Sequence, residues 1–278
     1  MKKIVKAMRK VIYLRDQSNF KRYINSLLEE VDFTPIANEI PQKIKSITFV
    51  IPGMPAFSGG HTSILRLGTE LSKRGYEVGY VSFAPQSIDD MKKNAEINLA
   101  NYKGKILGDD ITKVKSDVVF ATSWESVYYS RKMSGYKMYF IQDYEPYFNL
   151  YGESYIMAQK SYEVGYHMVS LGKWNKHMIE KECNINSRLD YITFPYEGKE
   201  YFAKERNFDE YKTKKEFNFA VYIKDVGKRA PYLIQYLLTK LKKDFSEEGI
   251  TLNIKYYGED KNFKCEGGEN IGKLSKSE

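Results

Sequence analysis

The sequence predicts an α/β fold: a doubly wound parallel sheet with helices on both faces, then the start of a second domain of the same kind. Three observations predict it. From residue 46 to 194, short apolar runs rich in β-branched and aromatic residues alternate with segments of helical periodicity. Gly59 and Gly60 mark the hand-over from the first run to the first helix of that series. After a charged stretch at 197–216, another strand–helix–strand set follows. Strands alternating with helices of about 10–15 residues pair in parallel and bury both sheet faces under the helices.

The elements follow in order. Residues 1–22 hold Lys2, Lys3, Lys6, Arg9, Lys10, Arg15, Lys21 and Arg22 against one acid, Asp16. Ile4, Val5, Met8, Val11 and Ile12 recur among them at helical spacing. Such a helix can lie on an anionic membrane surface or pack its apolar side on the protein. "FKRYINSLLEEV" reads as a second helical piece, and Pro35 and Pro41 break the chain, so 1–45 is expected to be a basic helical extension. "SITFVI" (46–51) is the first strand. The helix at 61–74 places Ile64, Leu67, Gly68 and Leu71 on one face, with Gly75 just past its end. Strands are expected at 77–83, 116–122, 136–142, 167–171 and 189–194, with helices at 124–133, 153–163 and 173–182. This makes 46–196 one Rossmann-like domain and 197–216 a connector. Strands at 217–223 and 251–257 flank a helix at 231–245, so 217–278 reads as the opening of a second Rossmann-like domain, incomplete as it stands. "SKSE" at 275–278 is a capping box announcing a further helix.

Composition narrows the class. The chain has 278 residues, 42% of them hydrophobic and 15% aromatic, which is enough to build a core. The two cysteines, Cys183 and Cys265, have no ligand spacing, as expected of a reduced cytoplasmic protein without disulfides or a zinc site. No apolar run approaches the roughly 20 residues that span a bilayer, and no signal peptide is expected. The net charge of +8 is concentrated in 1–22, leaving the body near neutral, which disfavours a nucleic-acid partner.

The candidate chemistry lies where strands end. Gly59 and Gly60 stand at a helix N-terminus, where unpaired N–H groups and a partial positive charge favour an anion, although two glycines equally suit a plain turn. The G-x-G-x-x-G fingerprint and the Walker A loop are both absent. His61, at the same helix start, can share a proton as a neutral imidazole or can simply fill the position. Asp143 and Glu145 follow the fourth strand and can take a proton or bind hydroxyls, while Tyr144, Tyr147 and Phe148 can stack on a sugar face or pack a loop. His167 and His177 suit structural roles. Lys224, Lys228 and Arg229 lie between a strand and a helix, apt for phosphates or an ordinary solvated loop.

The run "GG", a helix ending "LSKRGYEV", and a strand resemble the start of the amino-terminal domain of GT-B glycosyltransferases. "YFIQDYEPYFNLYGESYIMAQKSYEVGYHMVSLGKW" (139–174) and "VGKRAPYLIQYLL" (226–238) narrow the resemblance to the WsaF-like rhamnosyltransferase group, with 46–278 covered. That resemblance implies a GT-B-like fold and transfer of a sugar, rhamnose from a dTDP-activated donor being the expected case, to a growing cell-surface glycan. It implies no metal and no cofactor beyond the nucleotide sugar as co-substrate. It also implies a donor held mainly by the second domain, with Lys224, Lys228 and Arg229 meeting its phosphates. The acceptor would be a glycan or lipid-linked glycan facing His61, Asp143, Glu145, Gly59, Gly60, Tyr144 and Tyr147. The family's acidic donor motif lies beyond the matched segment, so the chain is expected to stop inside its second domain. The enzyme would be cytoplasmic, held peripherally at the inner face of the membrane through residues 1–22. The alternative is a non-catalytic glycan-binding or partner subunit of the same descent, open to self-association. A GT-A reading of the Asp-x-Glu spacing fits the strand order less well.

Overall fold

The computed structural model describes residues 2–198 and 201–274, with residues 2–12 by their backbone alone. The expected capping box at 275–278 and the apolar stripe from Ile4 to Ile12 therefore lie outside the described side chains. The chain divides into two compact units, Met1–Pro195 and Tyr196–Glu278.

The first unit is a Rossmann-like α/β domain. Its strands are β1 (Ser46–Ile51), β2 (Glu77–Ser82), β3 (Lys105–Ile106), β4 (Val118–Ala121), β5 (Tyr136–Ile141), β6 (His167–Leu171) and β7 (Leu189–Ile192). They form one parallel sheet in the order β3-β2-β1-β4-β5-β6-β7. The central strands are near-continuous apolar runs because helices cover both faces. On one face Phe49 stacks between Tyr80 and Phe120, at 5.6 and 5.3 Å, beneath α2 (Gly59–Lys73) and α3 (Ile88–Asn98). The alternate residues Ala121, Tyr139, Ile141 and Met168 join the core formed with α4 (Trp124–Ser130), α5 (Glu153–Lys160) and α6 (Lys173–Glu182). Strand order reverses between β1 and β4, the point at which sheets of this kind bind ligands beyond their carboxyl ends.

Three features depart from the sequence reading. The basic segment and the helical piece after it form one helix, α1 (Lys2–Leu28). Its last turns belong to the body, since Ile24 and Leu27 are buried in the α4 core and the Tyr23 hydroxyl donates to Glu125 at 3.1 Å. Residues 29–45 also strap the sheet: Asn38 exchanges hydrogen bonds with the Lys137 backbone, and the Ile36 N–H donates to the Val164 carbonyl. A Cβ on Gly165, at φ +89°, would lie 2.8 Å from the Ile36 carbonyl oxygen, so glycine alone lets the strap approach. The other two departures are α3 and β3. α3 buries only Met91, Ala95 and Asn98, too thin an apolar face for periodicity to reveal, and β3 is two residues long.

In the second unit, β8 (Glu216–Tyr222), β9 (Thr251–Tyr257) and β10 (Glu269–Gly272) form a parallel sheet in the order β10-β9-β8, with α7 (Pro231–Glu247) as the β8–β9 crossover. Ile234, Leu238, Leu241 and Phe245 of α7 pack on Leu252, Ile254 and Tyr256. The other sheet face is polar: Asn253 donates to Glu216 and Asn218 at 2.6 and 3.0 Å. β8 therefore alternates, unlike the strands of the first unit.

Lys137 in β5 is buried, its ammonium donating to the Met133 carbonyl. Burial pulls its pKa from 10.5 down to about 8. The unfolded chain thus binds more protons between those values, and this group makes stability rise with pH across that window. Lys137→Met is expected to raise the unfolding temperature at pH 7, with the advantage shrinking as pH approaches 10.5. Equal melting temperatures at pH 7 would show that the amine bears no burial penalty.

Candidate functional site

In the first unit, the residues that the sequence singled out lie at the carboxyl ends of β1 and β5. After β1 the chain turns at Gly53, φ 94°, and again at Phe57, a non-glycine residue at φ 57° whose ring is exposed. Ser58 then caps α2. Gly59 and Gly60 are the first residues of the helix and are not among the positive-φ glycines, so the turn itself is made upstream. A Cβ at Gly59 would meet nothing within 4 Å, whereas one at Gly60 would lie 3.4 Å from the Gln142 amide. Gly60 thus admits Gln142, just past β5, against the first turn of α2, where backbone N–H groups lack intrahelical acceptors.

His61, expected from sequence to take part in catalysis, is held within the β1–α2 loop. It is buried, with Nε2 2.8 Å from the Gly53 carbonyl and Nδ1 2.8 Å from the Ser58 hydroxyl. Burial lowers its pKa, favouring the neutral ring. Nε2–H then donates to Gly53 while Nδ1 accepts from Ser58, leaving neither nitrogen to serve as a base. The imidazole holds the β1–α2 loop in place. Gln86 clasps both backbone groups of Met54, at 2.6 and 3.2 Å. Asn94 donates to Met54, and Asn98 joins Pro55 and Ser58. These three residues were missed from sequence, since α3 carries no periodic signal that would place Asn94 and Asn98 on one face.

Glu145 is likewise removed from solvent. It sits in the turn Glu145–Phe148, where Oε2 accepts from the Trp124 N–H at 2.8 Å and Oε1 from the Tyr139 hydroxyl at 3.0 Å. Its own N–H donates to the Tyr162 hydroxyl. Burial, aided by the nearby Glu125 charge, pushes its carboxyl up to about 8. Glu145 fastens the β5 loop to the start of α4, with both carboxyl oxygens engaged inside the protein. Tyr144, expected to contact substrate, is fully buried and stacks on Tyr162.

What reaches solvent is Asp143 and Tyr147, with Trp174 beside Tyr147. Asp143 is half-buried, its Oδ1 accepting from the Tyr144 N–H. Tyr147 is exposed and lies 6.4 Å from Trp174, a residue that the sequence reading did not assign to the site. Trp174 follows Gly172 and Lys173 at the start of α6, which has no side-chain cap. Of the remaining histidines, His167 bridges Tyr136 and Asp190 at the amino ends of the strands, and His177 lies in α6.

In the second unit, Lys224 follows β8, and Lys228 and Arg229 form the turn Gly227–Arg229 before α7. Ala230, at φ 47°, starts that helix without a side-chain cap. The cations share this end of β8 with acids: Asp225 accepts from the Tyr232 hydroxyl and Glu259 from the Asp225 N–H. The Asp260 and Asp225 N–H groups, with help from Lys224, hold Glu259 below the usual carboxylate range. Among the described residues no group of His, Cys, Asp or Glu is placed to hold a metal, and no helix is long and apolar enough to cross a membrane.

The sequence matches no protein-family model and no curated protein.

The raised pKa of Glu145 gives a signed prediction. The folded state binds more protons than the unfolded chain between about pH 4.5 and 8, so this group's contribution is fully present below 4.5 and is lost as pH rises through 8. Glu145→Gln should melt near the wild type at pH 5 and at a higher temperature at pH 9. A variant less stable at both pH values would show that the ionised form is the one the fold requires.

Proposed function

We propose that the protein is a nucleotide-sugar-dependent glycosyltransferase of GT-B type, with rhamnose carried on dTDP as the expected donor and a cell-surface glycan as acceptor. The observation that carries this reading is the position of Asp143. It is the one expected catalytic carboxylate that reaches solvent, and it follows β5 beside Gln142, which leans on the first turn of α2. In that place a carboxylate can accept the proton of an attacking sugar hydroxyl. The acceptor oxygen would bond to the anomeric carbon as the nucleoside diphosphate departs. The turn carrying Lys228 and Arg229, with the uncapped start of α7, supplies cations and N–H donors of the kind that departing phosphates need.

The resemblance at 139–174 and 226–238 supports the same reading, and the basic residues at 1–22 support peripheral attachment to an anionic inner membrane face. A second reading is a non-catalytic glycan-binding or partner subunit. It is favoured by the internal bonds of His61 and Glu145, which leave Asp143 alone among the expected acid–base groups.

Thermal unfolding with dTDP, UDP, GDP and their sugar conjugates separates the two. A nucleotide at about 100 times its dissociation constant adds roughly 2.7 kcal/mol, a shift of several degrees. Lys228→Ala with Arg229→Ala should abolish that shift. Asp143→Asn should lower transfer at least about 100-fold while leaving the shift intact. Absence of a shift with every nucleotide would favour the partner-subunit reading. Lys21→Glu with Arg22→Glu is expected to weaken binding to phosphatidylserine vesicles; unchanged binding would place any membrane contact elsewhere.

A further inference from the structure

Tyr147, in the turn Glu145–Phe148, and Trp174, in the first turn of α6, stand together, 52% and 54% exposed, with ring planes inclined by 53°. Tyr147 is also firmly backed. It meets Tyr144 edge-on at 5.0 Å, Tyr144 stacks on Tyr162 at 5.8 Å, and Tyr162 stacks on Tyr139 at 5.5 Å. Tyr162 and Tyr139 are in turn hydrogen-bonded to Glu145. Five rings thus run from solvent into the core and hold the outer pair in a fixed attitude. Little ordering entropy remains to be lost when a ligand settles on it.

We propose that Tyr147 and Trp174 form a stacking platform for a pyranose ring, the subsite that grips the sugar acceptor. The proposal rests on the glycosyltransferase reading and adds to it the side from which the sugar is held. A pyranose presents polarised C–H groups on one face and hydroxyls around its edge. The negative π-faces of the two rings complement the C–H groups. Asp143, four residues before Tyr147, is available to accept from hydroxyls at the rim. The first-turn N–H groups of α6, which has no side-chain cap, are donors at the start of the helix that carries Trp174. This pairing of apolar face and polar rim fits a sugar better than an anionic lipid surface, which the Asp143 carboxylate would repel.

Saturation-transfer NMR of the full chain with methyl rhamnopyranoside and methyl glucopyranoside tests it. Transfer should be strongest to the ring C–H protons of one face. Trp174→Ala and Tyr147→Ala should each weaken binding roughly 10- to 30-fold, the scale of an aromatic anchor, while Tyr147→Phe retains it. The emission of Trp124, buried in the α4 core, reports that each variant is folded. The thermal shift with dTDP should persist in every variant, because its cations lie in the other unit. Sugar binding unchanged in Trp174→Ala would overturn the platform, as would no transfer from either glycoside while the nucleotide shift remains. Loss of vesicle binding in Trp174→Ala, with sugar binding intact, would reassign the rings to a membrane contact. Sugar binding without any nucleotide shift would uphold the platform and overturn the transferase reading.

Discussion

The carboxyl edge of the first sheet is organised around the buried carboxyl of Glu145. It accepts the Trp124 N–H at the start of α4 and the Tyr139 hydroxyl from β5, and its backbone N–H reaches Tyr162. An unpaired buried carboxylate would cost several kcal/mol, so its bonds and its raised pKa are two parts of one solution. With Glu145 fixed, the turn Glu145–Phe148 has one attitude. Tyr144 goes inward, while Asp143 before the turn and Tyr147 within it reach solvent. Glu125 extends the cluster to Tyr23, so the docked end of α1 bonds to the same helix start that Glu145 caps.

The β1–α2 loop is fixed by different means. Its backbone is held by side chains from two helices and a connecting loop: His61, Asn94, Asn98 and Gln86. Each of these buried or half-buried groups has a partner, which makes the loop rigid at the point where strand order reverses. Phe57 at φ 57° stores strain of about 1–3 kcal/mol, which the surrounding bonds over-determine. The glycine pair that drew attention in the sequence does a smaller task than expected. Gly60 makes room for Gln142, and the first turn of α2 stays open beside it.

The second unit follows other rules. Its sheet has α7 on one face and a polar second face, so β8 reads as an alternating strand rather than a fully buried one. α7 also exposes Tyr232, Leu233, Tyr236 and Leu237 on the side turned from its sheet. The basic turn before it is tempered by Asp225 and Glu259, so its net attraction for an anion is smaller than the cation count alone implies.

The alternation of apolar runs and helical periods determined the Rossmann-like sheet, because burial on both faces leaves a composition that is readable locally. "SITFVI" and "SDVVFAT" could hardly be anything else. Asp143 and Tyr147 were also legible, as polar and aromatic residues placed just past a buried strand. α3 was not, because a helix that buries three positions carries no periodic signal, and Asn94 and Asn98 were hidden with it. Nor could sequence separate Asp143 from Glu145 or Tyr147 from Tyr144. In each pair the chemistry is alike and the chain distance small. Only the tertiary structure decided which member faces water, because that depends on where the Trp124 N–H and the Tyr162 ring stand, residues distant in sequence that packing brings beside the loop.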